Sequence, residues 1–140
     1  MTSKLGAIVA ILTSFVGAEL LSAAEIVTPP SFKNVVSGKR TMLGRFYDLN
    51  PDCSSAGKVI LRFMQKPRNG VAEIISEQGF TGYPKDDPRY KCNETSREVE
   101  KIFYQSNDEF KGKDQFIVEV FYPNGNYRKL RVNIDVRSAE

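Results

Sequence analysis

The C-terminal part of the chain alternates strictly between apolar and polar residues, and this pattern predicts two half-buried β-strands. A period of two places one face of a strand in the core and the other in solvent. A Pro-Asn-Gly-Asn turn at 123–126 separates the two segments, and Asn-Gly is the strongest short signal for a β-hairpin. The expected inward residues are Phe116, Val118, Val120 and Tyr122 on the first strand, and Leu130, Val132, Ile134 and Val136 on the second.

Shorter segments earlier in the chain follow the same alternation and are separated by turn residues. Strands are predicted at 39–49, 58–64, 71–76 and 99–104. Met42, Phe46 and Tyr47 are available for packing on the first of these strands. No segment after the first 24 residues carries a helical apolar stripe. The chain is therefore predicted to be all-β, an antiparallel β-sandwich of about seven strands.

The first 24 residues have the layout of a secretory signal peptide. Lys4 precedes an apolar run at 5–18, and small residues at 22–24 offer a cleavage site before Glu25. The run is shorter than the roughly 20 residues of a membrane span, although an uncleaved anchor is the alternative. Removing 24 of 140 residues leaves 116, which fits one domain over 25–140. The protein is expected to be periplasmic or secreted, and not membrane-spanning after cleavage.

Charge and composition narrow the classes of function. The net charge of +3 is too mild for the basic stripe of a nucleic-acid binder, so no nucleic-acid partner is expected. The chain contains no histidine, which excludes Ser–His and Cys–His nucleophile systems. No spacing of carboxylates singles out an acid and base pair. We therefore expect a binding protein that is not an enzyme and needs no cofactor.

The two cysteines of the chain, Cys53 and Cys92, are expected to form a disulfide. An isolated pair in an oxidising compartment is most often bridged. The bridge would close a loop of about 40 residues and contribute roughly 4 kcal/mol in the chain-entropy model. The alternatives are two free thiols or a metal site, and a metal site would need further soft ligands in a chain without histidine.

The segment at 79–91 is long for a connection between strands and mixes aromatic with charged residues. Long ordered loops are often functional, and tyrosine and arginine are common anchors of binding surfaces. Its candidate partner-binding residues are Phe80, Tyr83, Arg89 and Tyr90. The alternative is that these aromatic residues only pack the loop onto the sandwich near Cys92.

The sequence contains two further candidate surfaces. Asp86 and Asp87 supply too few oxygen ligands for calcium, so no metal site is predicted. The outer faces of the last two strands would place an apolar patch beside a basic stripe, which could dock a partner or be covered by a neighbouring loop. These outer residues are Ile117, Glu119 and Phe121, followed by Tyr127, Lys129 and Arg131.

The segment Phe-Lys-Gly-Lys-Asp-Gln-Phe-Ile-Val at 110–118 resembles a motif of bacterial immunoglobulin-like and cadherin-like domains. The resemblance implies a single immunoglobulin-like antiparallel β-sandwich in a small exported bacterial protein. In physical terms, Gly112 permits a tight turn and Asp114 can accept hydrogen bonds from loop amides. Phe110 and Phe116 would anchor the loop to the core. The clustered acidic calcium ligands of cadherin-type domains are missing here.

These observations predict an exported binding module whose partner is an envelope protein or a cell-wall component. The alternative function is an inhibitor-type protein that blocks an enzyme with the loop at 79–91. An enzyme is the third possibility, and the lack of histidine disfavours it.

Overall fold

The fold consists of short strands and their connections, as the alternation predicts. The structure, a computed structural model, describes residues 28–139, and the predicted signal peptide lies outside the described residues. A short 3₁₀ helix spans Tyr90–Glu94. The strands are β1 (Ser31–Val36), β2 (Thr41–Phe46), β3 (Ile60–Gln65), β4 (Gly70–Gly79), β5 (Arg97–Ser106), β6 (Gly112–Phe121) and β7 (Tyr127–Arg137).

The strands form two sheets with a shared core. One sheet has four strands in the order β1-β7-β6-β3, and the other has three in the order β2-β5-β4. The prediction of an all-β, sandwich-like chain with about seven strands is confirmed. One pairing departs from the expected antiparallel arrangement, because β1 runs parallel to β7 over six residue pairs.

The N-terminal strands differ most from the sequence prediction. No strand was predicted over β1, whose inward face buries only Val35. Met42 was expected to pack, but it is 45% exposed, and Leu43 is buried instead. The pairing of β2 with β5 shifts register between Met42 and Gly44. Such a bulge interrupts the alternation of side chains, which explains why a period of two selects the wrong residue there.

The core lies between the two sheets and is centred on β6 and β7. Phe116, Val118 and Val120 are fully buried, as expected, and Val132, Ile134 and Val136 of the partner strand are buried. Leu130 is only partly buried against this cluster. Phe63 from β3 meets Phe116 edge to face, with ring centroids 5.6 Å apart. Burial of this aromatic pair ties β3 to the centre of the domain.

A buried carboxylate fastens the end of the sandwich opposite the β6–β7 hairpin. Asp114 accepts hydrogen bonds from the backbone N–H groups of Arg68 and Asn69, at 3.0 and 2.9 Å. It also accepts one from the hydroxyl of Tyr104 at 2.9 Å. Burial, together with this hydrogen bond, raises the pKa of Tyr104, so the hydroxyl remains a donor. The expectation that Asp114 binds loop amides is therefore confirmed.

Candidate functional site: the disulfide end of the sandwich

A disulfide joins two connections at the end of the sandwich where the β6–β7 hairpin turns. Cys53 and Cys92 are bonded with their Cα atoms 5.4 Å apart, so the predicted bridge is confirmed. Cys92 is buried in the 3₁₀ helix, while Cys53 lies in the connection between β2 and β3. Because the bridge ends one residue after the 79–91 segment, it fixes the C-terminal limb of that loop.

The side chain of Asn93 fixes the other limb of the same loop. Its Oδ1 accepts hydrogen bonds from the hydroxyl of Thr81 at 2.8 Å and from the N–H of Tyr83 at 2.9 Å. Its Nδ2 donates to the carbonyl of Tyr83 at 2.9 Å. Asn93 is not predictable as a loop-fixing residue from the sequence, since its contacts span 10 to 12 residues and no local pattern indicates them.

Tyr83 is held inside the loop. Its hydroxyl accepts the backbone N–H of Leu49 at 3.0 Å, and its ring meets Tyr47 edge to face with centroids 5.1 Å apart. The guanidinium of Arg89 lies over the same ring, 4.2 Å from its centroid. Burial raises the pKa of Tyr83, which keeps the phenol protonated at neutral pH. Tyr83 therefore positions the loop, and it also lines the cleft described below.

Arg89 is paired with two carboxylates. Its Nε and Nη2 donate to the two oxygens of Asp87 at 2.8 and 2.7 Å, and Nη1 lies 3.5 Å from Asp48. The hydrogen bonds from Arg89 lower the pKa of Asp87 to about 2, and the same bonds raise the pKa of Arg89. The charge of Arg89 is thus compensated locally, and Asp87 is already engaged by a cation.

The other two predicted site residues point outward. Phe80 is 52% exposed and Tyr90 is 44% exposed. An aromatic side chain of that exposure leaves about half of its surface open to a partner. The four candidates therefore divide into an inner pair, Tyr83 and Arg89, and an outer pair, Phe80 and Tyr90.

A polar cleft of about 450 Å³ opens beside the inner pair. Its walls come from the end of β2, from the 79–91 loop and from the β6–β7 hairpin. We name it the arginine cleft after Arg45, Arg89 and Arg128, which line it together with Tyr47, Tyr83 and Tyr122. Arg45 and Arg128 are not predictable as site residues from the sequence, because only the fold brings these distant segments together.

Two of the three arginines carry uncompensated charge. Arg45 and Arg128 are exposed, and no carboxylate among residues 28–139 forms an ion pair with either of them. Arg128 lies over the ring of Tyr122, 5.5 Å from its centroid. Gly82 gives Arg45 its room, since a Cβ at this position would lie 2.9 Å from the guanidinium Nη2.

The outer face of the four-stranded sheet has the predicted mixture of apolar and charged residues. Ile117 lies opposite Arg131, and Phe121 lies opposite Tyr127. Both apolar residues are half-buried, and the guanidinium of Arg62 lies 5.5 Å from the ring centroid of Phe121. Strand β3 widens this face with two exposed apolar side chains, Ile60 and Met64.

Glu119 organises the charges on that face. Arg62 donates to its Oε2 through Nε and Nη2, at 2.9 and 2.7 Å. The hydroxyl of Tyr127 donates to Oε1 at 2.9 Å. These hydrogen bonds, from Arg62 first, lower the pKa of Glu119. Three polar side chains of the face, Arg62, Glu119 and Tyr127, are thus engaged with one another.

Within residues 28–139, no cluster of three or more acidic or cysteine side chains is arranged to hold a metal ion. The same part of the chain contains no helix long and apolar enough to cross a membrane.

The comparisons with known proteins do not assign a function to this site. No protein-family model matches this sequence, and neither does any curated protein sequence. A solved structure, the solution structure of amebosin, is similar over 78% of this chain and 100% of its own, with 10% identity and a TM-score of 0.40. A similarity of that size carries no argument about function.

Proposed function

We propose that this protein is an exported binding module with an immunoglobulin-like fold. In immunoglobulin domains one sheet contains strands B, E and D, and the other contains C, F and G. The orders β2-β5-β4 and β3-β6-β7 correspond to these two sets. The first strand pairs with β7 instead of β2, which is the one difference from the constant-type arrangement. The strand order supports the immunoglobulin-like assignment beyond the motif at 110–118.

Export is supported by the disulfide. Disulfides persist in oxidising compartments such as the periplasm and the extracellular medium, and they are rare in the cytosol. Together with the signal-peptide layout of residues 1–24, the Cys53–Cys92 bridge favours a periplasmic or secreted protein.

The observation that carries the binding function is a pair of exposed aromatic side chains on a firmly held loop. Phe80 and Tyr90 are about half exposed, while the disulfide and the side chains of Asn93 and Arg89 hold the loop beneath them. A surface that is ordered before binding loses less conformational entropy on association. Aromatic anchors on such a surface are typical of protein interfaces.

The test compares two double variants that each remove exposed apolar area. Phe80→Ala with Tyr90→Ala changes the loop, whereas Phe32→Ala with Met64→Ala changes the four-stranded sheet. Each exported variant is used to capture partners from an envelope extract, which are identified by mass spectrometry. Loss of one partner with the loop variant only, at an unchanged melting temperature, supports the proposal. Loss with the sheet variant only would move the interface to the outer sheet face.

The rigidity of the loop also favours the alternative function, an inhibitor that blocks an enzyme. Preorganised loops held by a disulfide suit this role because they resist rearrangement in an active site. If the captured partner is an enzyme, its activity should fall as the wild-type protein is added. The Phe80→Ala and Tyr90→Ala double variant should then leave that activity unchanged.

A further inference from the structure

We infer that the arginine cleft binds an acidic saccharide, that is, a hydroxyl-rich chain that carries carboxylate groups. This inference rests on the proposed binding function and names the chemistry of a ligand at the same end of the domain. It follows from three properties of the cleft: its surplus of hydrogen-bond donors, its uncompensated charge and its polar lining.

Apart from Arg89 and the carboxylates of Asp48 and Asp87 paired with it, the cleft presents mainly hydrogen-bond donors. The hydroxyl of Tyr47 accepts the N–H of Gly82 at 2.7 Å, and that of Tyr83 accepts the N–H of Leu49. Each phenol oxygen has one proton to donate once its acceptor role is occupied. The guanidinium groups of Arg45 and Arg128 can only donate. A ligand that satisfies this set must be rich in acceptors.

The charge of the cleft selects an anion. Arg89 is paired with two carboxylates, Asp87 and Asp48, so these three side chains together carry a net charge of −1. Arg45 from β2 and Arg128 from β7 add two positive charges, which bring the net charge of the lining to +1 and leave two guanidinium groups without a carboxylate partner. Guanidinium groups bind carboxylates through paired, charge-assisted hydrogen bonds. A carboxylate-bearing ligand therefore matches these two side chains better than a neutral one.

The lining favours a saccharide over an acidic peptide. Peptides are commonly recognised by strand addition at a sheet edge or by apolar pockets for their side chains. The arginine cleft is bordered largely by loops, and its lining is polar, with the amide side chains of Asn124 and Asn126 on the hairpin wall. Amides both donate to and accept from hydroxyl groups. The volume of about 450 Å³ lies within the range of small-molecule sites.

The experiment uses trigalacturonic acid, a chain of three uronic acids, as the probe. Its methyl ester serves as the neutral ligand of equal length, and triglutamate serves as the acidic peptide. Binding to the exported protein, with its disulfide intact, is measured by calorimetry at physiological ionic strength. We expect the uronate to bind at least about tenfold more tightly than its ester, because charged hydrogen bonds are lost in the ester.

Variants then locate the site. Arg45→Gln with Arg128→Gln should weaken uronate binding at least about tenfold, since both charged contacts are removed. Arg68→Gln with Arg131→Gln makes the same change in net charge away from the cleft. This control should weaken binding less than about threefold, because it removes only a long-range attraction that salt largely screens. Gly82→Ala should also weaken binding, because its Cβ displaces the flexible end of Arg45 without disturbing the core.

Several outcomes would overturn the inference. These are no detectable binding of the uronate by the wild-type protein, equal binding of its ester, tighter binding of triglutamate, or equal losses in the two arginine pairs. The proposed function fails separately. If the uronate is not bound but the Phe80→Ala and Tyr90→Ala variant still loses its envelope partner, the binding module stands and only the ligand class is wrong.

Discussion

Replacing Asp114 tests whether one buried carboxylate fastens the β3–β4 turn to the core. Its oxygens accept the N–H groups of Arg68, Asn69 and Gln115 and the hydroxyl of Tyr104. A hydrogen bond to a charged group contributes about 1.5–3 kcal/mol, and an orphaned buried hydroxyl costs about 1–3 kcal/mol. The turn amides can regain water, so we count one of their bonds beside the orphaned hydroxyl and expect Asp114→Ala to lower the free energy of unfolding by about 2.5–6 kcal/mol.

A double-mutant cycle separates the Tyr104 contact from the rest. Tyr104→Phe alone should cost about 1.5–3 kcal/mol, because it removes a hydrogen bond to a charged acceptor. In the Asp114→Ala background the same change should cost nothing or stabilise, because the fully buried hydroxyl no longer has its partner. Urea denaturation with a constant m-value gives all four free energies.

Two results would refute the reasoning on Asp114. Additive effects of the two changes would mean that the hydroxyl and the carboxylate do not stabilise each other. A cost for Asp114→Ala as small as that of Asp86→Ala would be equally damaging. Asp86 is exposed, and its replacement should change stability by less than about 0.5 kcal/mol.

Three further predictions concern the disulfide end. Replacing Cys53 and Cys92 with serine should lower stability by about 2–4 kcal/mol in urea denaturation, and intact wild-type protein should lack two hydrogens by mass. The pKa of Asp87 is about 2 when folded, against 3.8 as its ordinary value, so its stabilisation is present above about pH 4 and is lost as the pH falls towards 2. Asp87→Asn should accordingly reduce the loss of unfolding free energy between about pH 4 and pH 2, and an unchanged loss in the variant would contradict this. Tyr83→Ala should lower the melting temperature more than Tyr90→Ala does, because Tyr83 also loses its contacts with Leu49, Tyr47 and Arg89, and equal losses would show that the inner and outer division is wrong.

The sequence predicts the centre of this fold well because its information there is local. The alternation over β6 and β7 depends only on which residues share a face, and Asp114 is placed by its own short motif. The burial of Leu43 in place of Met42 depends on a β-bulge, and this bulge arises from the pairing of β2 with β5. Strand β1 likewise owes its extended form to its pairing with β7, since its own residues bury little apolar surface.

The candidate site was predictable in part for the same reason. The length and composition of the 79–91 segment identify the loop, and the cysteine count identifies its tether. The roles of Tyr83 and Arg89 could not be assigned, because their partners Leu49 and Asp48 lie about 35 residues or more away in sequence. The arginine cleft is less visible still, since three separate parts of the chain build its walls.

The parallel pairing of β1 with β7 has a mechanical consequence. In a parallel pair, the N-terminal end of one strand and the C-terminal end of the other lie at opposite ends of the ladder. Tension applied before Ser31 and after Arg137 therefore runs along both strands and loads all six residue pairs in shear at the same time. An antiparallel terminal pair would instead open one hydrogen bond after another, like a zip. The domain is built to resist extension through the two strands nearest its ends.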